Sequence, residues 1–198
     1  TVVGFIGVLL AADLKKKYFL YGILAFIALT PLFWRIMEPY QKDRILTFVD
    51  PSRDPYGAGY NAIQSMISVG SGKFLGRGLG KGIQTQLAFL PEKHTDFIFA
   101  AVGEELGFVG AGLLLLGGFF ILSRLVSIIE NASSPSARAY VSGFFLTVLL
   151  QTFVHIGMNL GLLPITGVPF PIVSAGGSSF LATFIGLAIA FGARKRLK

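Results

Sequence analysis

The sequence predicts an all-α polytopic membrane protein, and its composition and its long apolar runs carry that prediction. Of 198 residues, 53% are hydrophobic and only 14% are charged, and the mean hydropathy is +0.70. In a typical soluble domain about a quarter of the residues are charged. Several apolar runs approach the roughly 20 residues that a helix needs to cross the hydrocarbon core. We therefore expect a bundle of transmembrane helices.

Charge placement predicts the orientation of these helices. The net charge is +7, and its basic clusters flank apolar runs at Lys15–Lys17 and at Arg194–Lys198. Basic residues beside spans mark cytoplasmic ends, so the charge predicts no nucleic-acid partner. The chain has no cysteine, which excludes disulfides and thiolate metal sites. The apolar run Val2–Ala12 is too short to span and is expected to be the end of a helix whose beginning is missing.

The elements follow in order along one membrane domain, residues 1–198. Spans are predicted at about residues 18–37, 96–123, 139–159 and 174–193, with an external loop over 38–95. The short polar stretch 130–138 and the basic tail lie inside. Within the external loop, Tyr60, Ile63, Met66 and Ile67 recur at helical spacing and predict an amphipathic helix. The glycines between residues 70 and 82 are expected to allow close backbone approach.

Asp96 is the first candidate for chemistry, because it stands where the external loop enters an apolar helix. It has two interpretations. Aspartate is a common helix N-cap, which would make it structural. A partly desolvated carboxylate at the outer boundary, next to His94, can also have a raised pKa and act as a general base. Small residues below it, including Gly103 and Gly107, predict that it faces a protein groove.

Polar side chains inside two spans form a second constellation. Glu104 and Glu105 lie two turns below Asp96, and Gln151, His155 and Asn159 recur every four residues on the next helix. Buried carboxylates are costly without partners, so we expect the glutamates to face this stripe. The pairing is either structural hydrogen bonding between helices or a proton or ion pathway.

Prolines and glycines crowd the stretch at residues 161–179, just before the last span. Irregular backbone at membrane depth is tolerated only where protein buries it or where it lines a wet cavity. We expect a Pro/Gly-broken helix beside a substrate site, or a rigid connector.

Three segments together resemble the signature blocks of the RodA/FtsW/SpoVE (SEDS) family. They are DPYGAGYNAIQSMISVGSG at 54–72, QLAFLPEKHTDFIFAAVGEELGFVG at 86–110, and GMNLGLLPITGVPFPIVSAGGSS at 157–179. The chain matches as the C-terminal half, and the wording of the first two blocks is RodA-like, the elongation branch. The family usually has tyrosine where Ala175 stands and often has glycine where Lys73 stands.

The resemblance implies a peptidoglycan glycosyltransferase that polymerises lipid II. Asp96, in the HTDF motif, would deprotonate the acceptor GlcNAc 4-hydroxyl, which attacks the donor MurNAc anomeric carbon and expels the lipid pyrophosphate. That departure needs its charge neutralised, either by cationic side chains or by a divalent cation, Mg²⁺ or Mn²⁺, and the resemblance makes no cofactor certain. The implied substrate-binding residues, whose cations could equally be ordinary interfacial charges, are Lys73, Arg77, Lys93, His94, Thr95, Ser174 and Ser178.

The implied partners are lipid II, the nascent glycan strand, a class B penicillin-binding protein and other membrane proteins of the elongation complex. The implied location is the bacterial cytoplasmic membrane, crossed several times. Two other functions stay open: a lipid II flippase or transporter that uses the Glu104–His155 interior, and a non-catalytic scaffold for a penicillin-binding protein. A transporter needs ionisable groups at the midplane, whereas an enzyme needs its carboxylate at the outer boundary.

Overall fold

The chain folds into helices joined by short turns and one irregular segment. The computed structural model describes residues 16–87 and 89–194; the run Val2–Ala12, Lys15 and the tail beyond Arg194 lie outside the described residues. The helices are α1 (Lys16–Ile36), α2 (Pro39–Val49), α3 (Ala58–Ser71), α4 (Ile83–Gln86), α5 (Ile98–Glu130), α6 (Pro135–Asn159) and α7 (Gly177–Gly192), with a 3-10 turn at Pro51–Arg53. The all-α fold class is confirmed, including a partly helical 38–95 segment.

Within residues 16–87 and 89–194, two helices are individually long and apolar enough to cross a membrane, namely Ile98–Glu130 and Pro135–Asn159. The bent pair Leu20–Ile36 and Pro39–Val49 qualifies as a third span only when both helices are taken together. Helix α7 is apolar but has 16 residues. The arrangement of four spans therefore stays a prediction.

The short loop between α5 and α6 is tighter than expected. We predicted a polar loop over 130–138, but α5 continues to Glu130 and α6 begins at Pro135. Ser134 is the N-cap of α6, where its hydroxyl accepts from the Ala137 amide, and Pro135 occupies the first turn. Proline is favoured there because its missing N–H would be unpaired anyway. The Ser-Pro pair thus starts a helix.

Helix α5 is broken at Gly107, whose φ of 66° and ψ of −159° are non-helical. This backbone conformation is essentially limited to glycine. The external segment 73–78 fills the break. The amides of Phe108 and Val109 donate to the carbonyls of Lys73 and Phe74, at 2.9 and 3.2 Å. The carbonyls of Glu104 and Glu105 in turn accept from the amides of Arg77 and Gly78, at 3.0 and 2.9 Å. Backbone groups freed by the break are therefore paired with the loop.

Helix α3 is the predicted amphipathic helix, and its polar side faces the protein. Ser65 and Ser68 are fully buried, whereas Ile63, Met66 and Ile67 are each about 40% exposed. The small polar face packs on α5, where Gly72 lies so close to Gly103 that a Cβ would collide with the Gly103 carbonyl. The predicted close approach through glycine is confirmed at this position.

Different sets of contacts hold the helices together at the two ends of the bundle. At one end Leu125, Ile128, Val141 and Ala190 form a core between α5, α6 and α7, and the Ser133 amide donates to the Ala193 carbonyl at 3.0 Å. The α5–α6 loop and the end of α7 therefore share one end, as the predicted orientation requires. At the opposite end a second core of Leu90, Phe97 and Ala100 lies below Asp96.

Candidate active site around Asp96

Asp96 lies in the turn that precedes α5. The N-cap of α5 is Phe97, and no side chain caps this helix end. Within the described residues, the carboxylate oxygens of Asp96 accept no hydrogen bond. The capping interpretation is therefore wrong, and the carboxylate keeps its full capacity to accept a proton or a donor from a ligand.

The surroundings of Asp96 raise its pKa above the ordinary aspartate value. Burial has the largest effect, since it disfavours the charged form, and the neighbouring Glu92 carboxylate acts in the same direction. The guanidinium of Arg44 opposes both by favouring the ionised form. A raised pKa makes the carboxylate a stronger base than a solvated aspartate.

The irregular segment after α6 stands over the carboxylate. Gly167 has a φ of +68°, and a Cβ there would lie 3.4 Å from Oδ2 of Asp96. Arg44, on α2, donates from Nη1 to the Ile165 carbonyl at 3.1 Å. A small cleft beside Arg44 and Ile165 is also lined by Thr47, Met66 and Leu163. The predicted role of the Pro/Gly stretch as a lining of the site has geometric support here.

The loop before Asp96 is held by polar contacts. Lys93 is half-buried, and its ammonium donates to the Thr85 carbonyl. The Thr95 hydroxyl donates to the Glu92 carboxylate at 2.9 Å, and His94 is exposed. Lys93 and His94 also line a groove of about 650 Å³ whose floor includes Ile98, Ala101 and Val102. Basic groups thus stand over an apolar floor within a few residues of Asp96.

The predicted pairing of Glu104 and Glu105 with the α6 stripe is wrong. Glu104 is fully buried, and its two oxygens accept from the amides of Gln84 and Thr85, at 2.9 and 3.0 Å. Glu105 accepts from the Gly80 amide, the Thr85 hydroxyl and the Gln86 side chain. The external segment supplies both sets of donors because it folds back onto α5 at the Gly107 break.

The polar stripe of α6 holds other parts of the site. His155 is fully buried, and its Nδ1 lies 2.8 Å from the Val168 carbonyl, so Nδ1 is the donor. The Asn159 amide donates to the carbonyls of Asp96 and His155, at 3.0 and 2.8 Å, and accepts from the Ala100 amide at 3.1 Å. No hydrogen bond of the Gln151 side chain occurs within the described residues. The stripe therefore fixes the irregular segment and the start of α5.

Comparison with known proteins decides the family. The family model described as "Cell cycle protein" (FtsW/RodA/SpoVE) matches residues 1–198. This chain belongs to the FtsW/RodA/SpoVE family. The resemblance inferred from the three sequence blocks is thereby confirmed.

Relatives carry the names of both branches of the FtsW/RodA/SpoVE family. Peptidoglycan glycosyltransferase MrdB of Escherichia coli K12 is 41% identical over 183 residues, which are 92% of this chain and 50% of that protein. Probable peptidoglycan glycosyltransferase FtsW of Wigglesworthia glossinidia brevipalpis is 41% identical over 176 residues, 86% of this chain and 44% of that protein. The chain thus spans about half the length of these relatives.

A solved structure supports the fold of this family member. It is described as "Structural coordination of polymerization and crosslinking by a peptidoglycan synthase complex". The match has a TM-score of 0.73 at 36% identity and covers 96% of this chain and 52% of that one.

The structure places the substrate-binding residues predicted from the family motifs in different parts of the molecule. Lys93, His94 and Thr95 are at the site by sequence. Lys73 and Arg77 instead lie beside the Gly107 break, about 12 Å or more along α5 from Asp96. Ser174 is 4% exposed, and its hydroxyl accepts from the Phe170 amide and donates to the Thr95 carbonyl, so its contact with substrate stays a prediction. Ser178 is exposed on the first turn of α7.

Sequence reasoning missed two residues next to the carboxylate. Arg44 was one of several charged residues in the external loop, and Gly167 was one of several glycines in the irregular stretch. Neither has a local signal that singles it out, because each reaches Asp96 from a distant segment. The role of Asn159 was also missed, since a stripe on one helix does not reveal which backbone atoms it meets.

The described residues offer no ready ligand set for a divalent cation. No three His, Cys, Asp or Glu side chains cluster within residues 16–87 and 89–194. Asp96 and Glu92 are the nearest acidic pair at the site. The divalent cation that the family resemblance allows stays a prediction.

Proposed function

We propose that the protein is a peptidoglycan glycosyltransferase that polymerises lipid II during cell elongation, with Asp96 as the general base. Family membership and the printed names of the relatives support the reaction class. The observation that carries the residue assignment is the Asp96 carboxylate itself. It is half-buried and free of hydrogen bonds within the described residues, its pKa is raised, and it interacts with Arg44, which lines a small cleft.

In the proposed reaction Asp96 accepts the proton of the acceptor GlcNAc 4-hydroxyl. The hydroxyl oxygen then forms a bond to the anomeric carbon of the donor MurNAc, which inverts as its bond to the lipid pyrophosphate breaks. The growing strand is the donor, and a new lipid II molecule is the acceptor. A positioned base contributes roughly 10²–10⁴-fold to such a step. Arg44, whose charge acts on Asp96, and Lys93 and His94 of the preceding loop are the groups that we propose as donors to the departing pyrophosphate.

The site favours an enzyme over a transporter. A transport pathway through the interior requires Glu104 to face His155, yet Glu104 accepts two backbone amides of α4 and His155 donates to the Val168 carbonyl. Both groups therefore serve local structure. Asp96, in contrast, lies outside the spans at the end of the bundle where a sugar headgroup would be.

We further propose that the whole protein crosses the bacterial cytoplasmic membrane several times and works beside a class B penicillin-binding protein and other membrane proteins of the elongation complex. The two apolar spans support the membrane location. The similarity to a chain of a peptidoglycan synthase complex supports the partner.

The test is lipid II polymerisation by the full-length protein with Asp96→Asn. The substitution keeps side-chain size but removes proton acceptance, so we expect the rate to fall at least about a hundredfold. Asp43→Asn is the matched control, because Asp43 is an exposed carboxylate of the same external segment. It should polymerise like wild type. A folded Asp96→Asn protein with the wild-type rate would refute Asp96 as the base, whereas a wild-type protein that does not polymerise lipid II would favour the scaffold.

A further inference from the structure

Three consecutive backbone carbonyls at the site are each held by a donor from the C-terminal part of the chain. The His94 carbonyl accepts from the Ala175 amide at 2.8 Å, and the Thr95 carbonyl accepts from the Ser174 hydroxyl at 2.7 Å. The Asp96 carbonyl accepts from the Asn159 side-chain amide at 3.0 Å. The last two donors lie 79 and 63 residues further along the chain. We call residues 94–96 with these donors the backbone clamp.

The Ser174 hydroxyl is oriented by its own turn. Its oxygen accepts from the Phe170 amide at 2.7 Å, so its proton is free to point at the Thr95 carbonyl. Inside this turn Ile172 has a φ of +69°. A β-branched residue is strained in that conformation, and such strain persists only where surrounding contacts hold it. The turn that presents the Ser174 hydroxyl is therefore maintained against a local cost.

The Asn159 side chain is oriented in the same way. It is fully buried, and its oxygen accepts from the Ala100 amide while its nitrogen donates to the carbonyls of Asp96 and His155. Ser65 of α3 donates to the Asn159 backbone carbonyl at 2.9 Å. Only one orientation of the Asn159 side-chain amide satisfies the Ala100 amide and the two carbonyls, so its nitrogen is fixed toward the Asp96 carbonyl.

We propose that Ser174 and Asn159 are positioning residues that fix the backbone of residues 94–96 and so hold the Asp96 carboxylate in place beside Gly167. This inference rests on the proposed function, because it takes Asp96 as the base. The side chain of Asp96 makes no hydrogen bond within the described residues, and its position depends on the backbone beneath it. A displacement of about 1 Å at a reacting group can cost about a hundredfold in rate.

One of the three clamp bonds is independent of side-chain identity. The bond to the His94 carbonyl uses the backbone amide of residue 175. It does not depend on whether alanine or tyrosine supplies the side chain. The Ser174 and Asn159 donors are side-chain groups and are the ones that substitution can remove.

The experiment measures kcat and KM for lipid II polymerisation by the full-length protein with Ser174→Ala and with Ser174→Thr. We expect Ser174→Ala to lower kcat about tenfold or more while KM changes less than about twofold, since the base is misplaced but the binding groups remain. Ser174→Thr keeps the hydroxyl and should recover most of kcat. Wild-type kcat in folded Ser174→Ala protein would overturn the proposal.

Ser68→Ala is the matched control for lost stability. Ser68 is also fully buried and donates to a backbone carbonyl, that of Gln64 within its own helix. It should keep the wild-type kcat. An equal loss of kcat in this control would assign the effect to folding and overturn the positioning role.

Asn159→Leu is the second variant, because leucine has a similar volume but removes the amide. We expect the same selective loss of kcat, with some loss of thermal stability from the unpaired Ala100 amide. If neither Ser174→Ala nor Asn159→Leu yields folded protein, both residues are purely structural and the proposal fails.

Asp96→Asn and the double variant Ser174→Ala/Asp96→Asn separate this proposal from the proposed function. An active Asp96→Asn protein refutes Asp96 as the base and, with it, the reason for the clamp. An inactive Asp96→Asn protein beside a fully active Ser174→Ala protein refutes only the clamp. The double variant should be no slower than Asp96→Asn alone, because no base is left to position. A further loss would show that Ser174 acts independently of Asp96.

Discussion

At the scale of single residues, Asp96 combines a fixed backbone with an unbonded side chain. Its carbonyl is held by Asn159, and its carboxylate is half-buried beside Gly167 without a donor in the described part of the chain. Burial without a partner is unfavourable for a charged group. The arrangement therefore costs stability at neutral pH, as is common where a site is kept ready for a ligand.

This cost predicts that Asp96→Asn raises thermal stability. The folded-state pKa of Asp96 lies above the unfolded value of 3.8. The folded protein thus binds the proton more tightly, and the stability from this group is lost as pH rises through its folded pKa. We expect Asp96→Asn protein to melt above wild type at pH 7. The difference should shrink as the pH is lowered toward 4.

The measurement is thermal unfolding of both proteins in the same detergent across that pH range. Asp43→Asn again serves as the control and should show no comparable pH-dependent difference. An Asp96→Asn protein that melts below wild type at pH 7 would contradict the direction of the shift.

At the scale of elements, helix α5 and the external segment form one structure. The Gly107 break removes helical hydrogen bonds, and residues 73–78 replace them. By length, the part of α5 after the break, 23 residues or about 34 Å, matches the hydrocarbon core. Glu104 and Glu105 then stand on the short part before the break, which explains why loop backbone reaches them.

Gly107→Ala should be strongly destabilising. The conformation at φ 66° and ψ −159° is unfavourable for alanine by about 1–3 kcal/mol. The added Cβ would also collide with the backbone nitrogen of Gly76. We expect a loss of stability of more than about 2 kcal/mol, measured by thermal or denaturant unfolding in detergent.

Gly117→Ala, on the same helix, is the matched control. A Cβ at Gly117 meets nothing within 4 Å, and alanine is the better helix former by about 1 kcal/mol. This variant should be as stable as wild type or more so. Equal destabilisation by both substitutions would show that the break is not the special position that its geometry indicates.

Hydropathy predicted the positions of the long helices well, because a helix that can cross a membrane needs little more than a long apolar run. They could not predict the Gly107 break, since a glycine in an apolar helix has the same pattern as a packing contact. Likewise, Glu104 could be predicted to need a partner, but the partner, the amide of Thr85, has no side-chain signature. The contacts of the Ser174 hydroxyl could not be predicted for the same reason, because both of its partners are backbone groups.

At the scale of the whole molecule, the two ends of the bundle contain different groups. One end brings residues 94–96 beside 174 and 175, and the other brings the 131–134 loop beside Arg194. Basic residues near the second end predict that it is cytoplasmic. Asp96 is therefore expected on the outer side of the membrane.

Single-cysteine labelling tests this orientation, and the chain contains no cysteine that would interfere. Lys81 and Ser133 are exposed at opposite ends of the bundle. We expect Lys81→Cys to react with an impermeant reagent on cells with an intact inner membrane, and Ser133→Cys to react only after that membrane is opened. The reverse pattern would invert the topology and remove Asp96 from the side where glycan strands form.

The hydrogen bonds between residues 73–78 and the Gly107 break also predict how backbone amides there exchange with solvent. Four amides, those of Arg77, Gly78, Phe108 and Val109, close one patch of backbone hydrogen bonds across two distant stretches of sequence. None of these amides can exchange its hydrogen for deuterium unless the loop separates from α5. They therefore belong to one cooperative unit of hydrogen exchange, and the part of the loop that contacts α5 opens no more easily than the helix it completes.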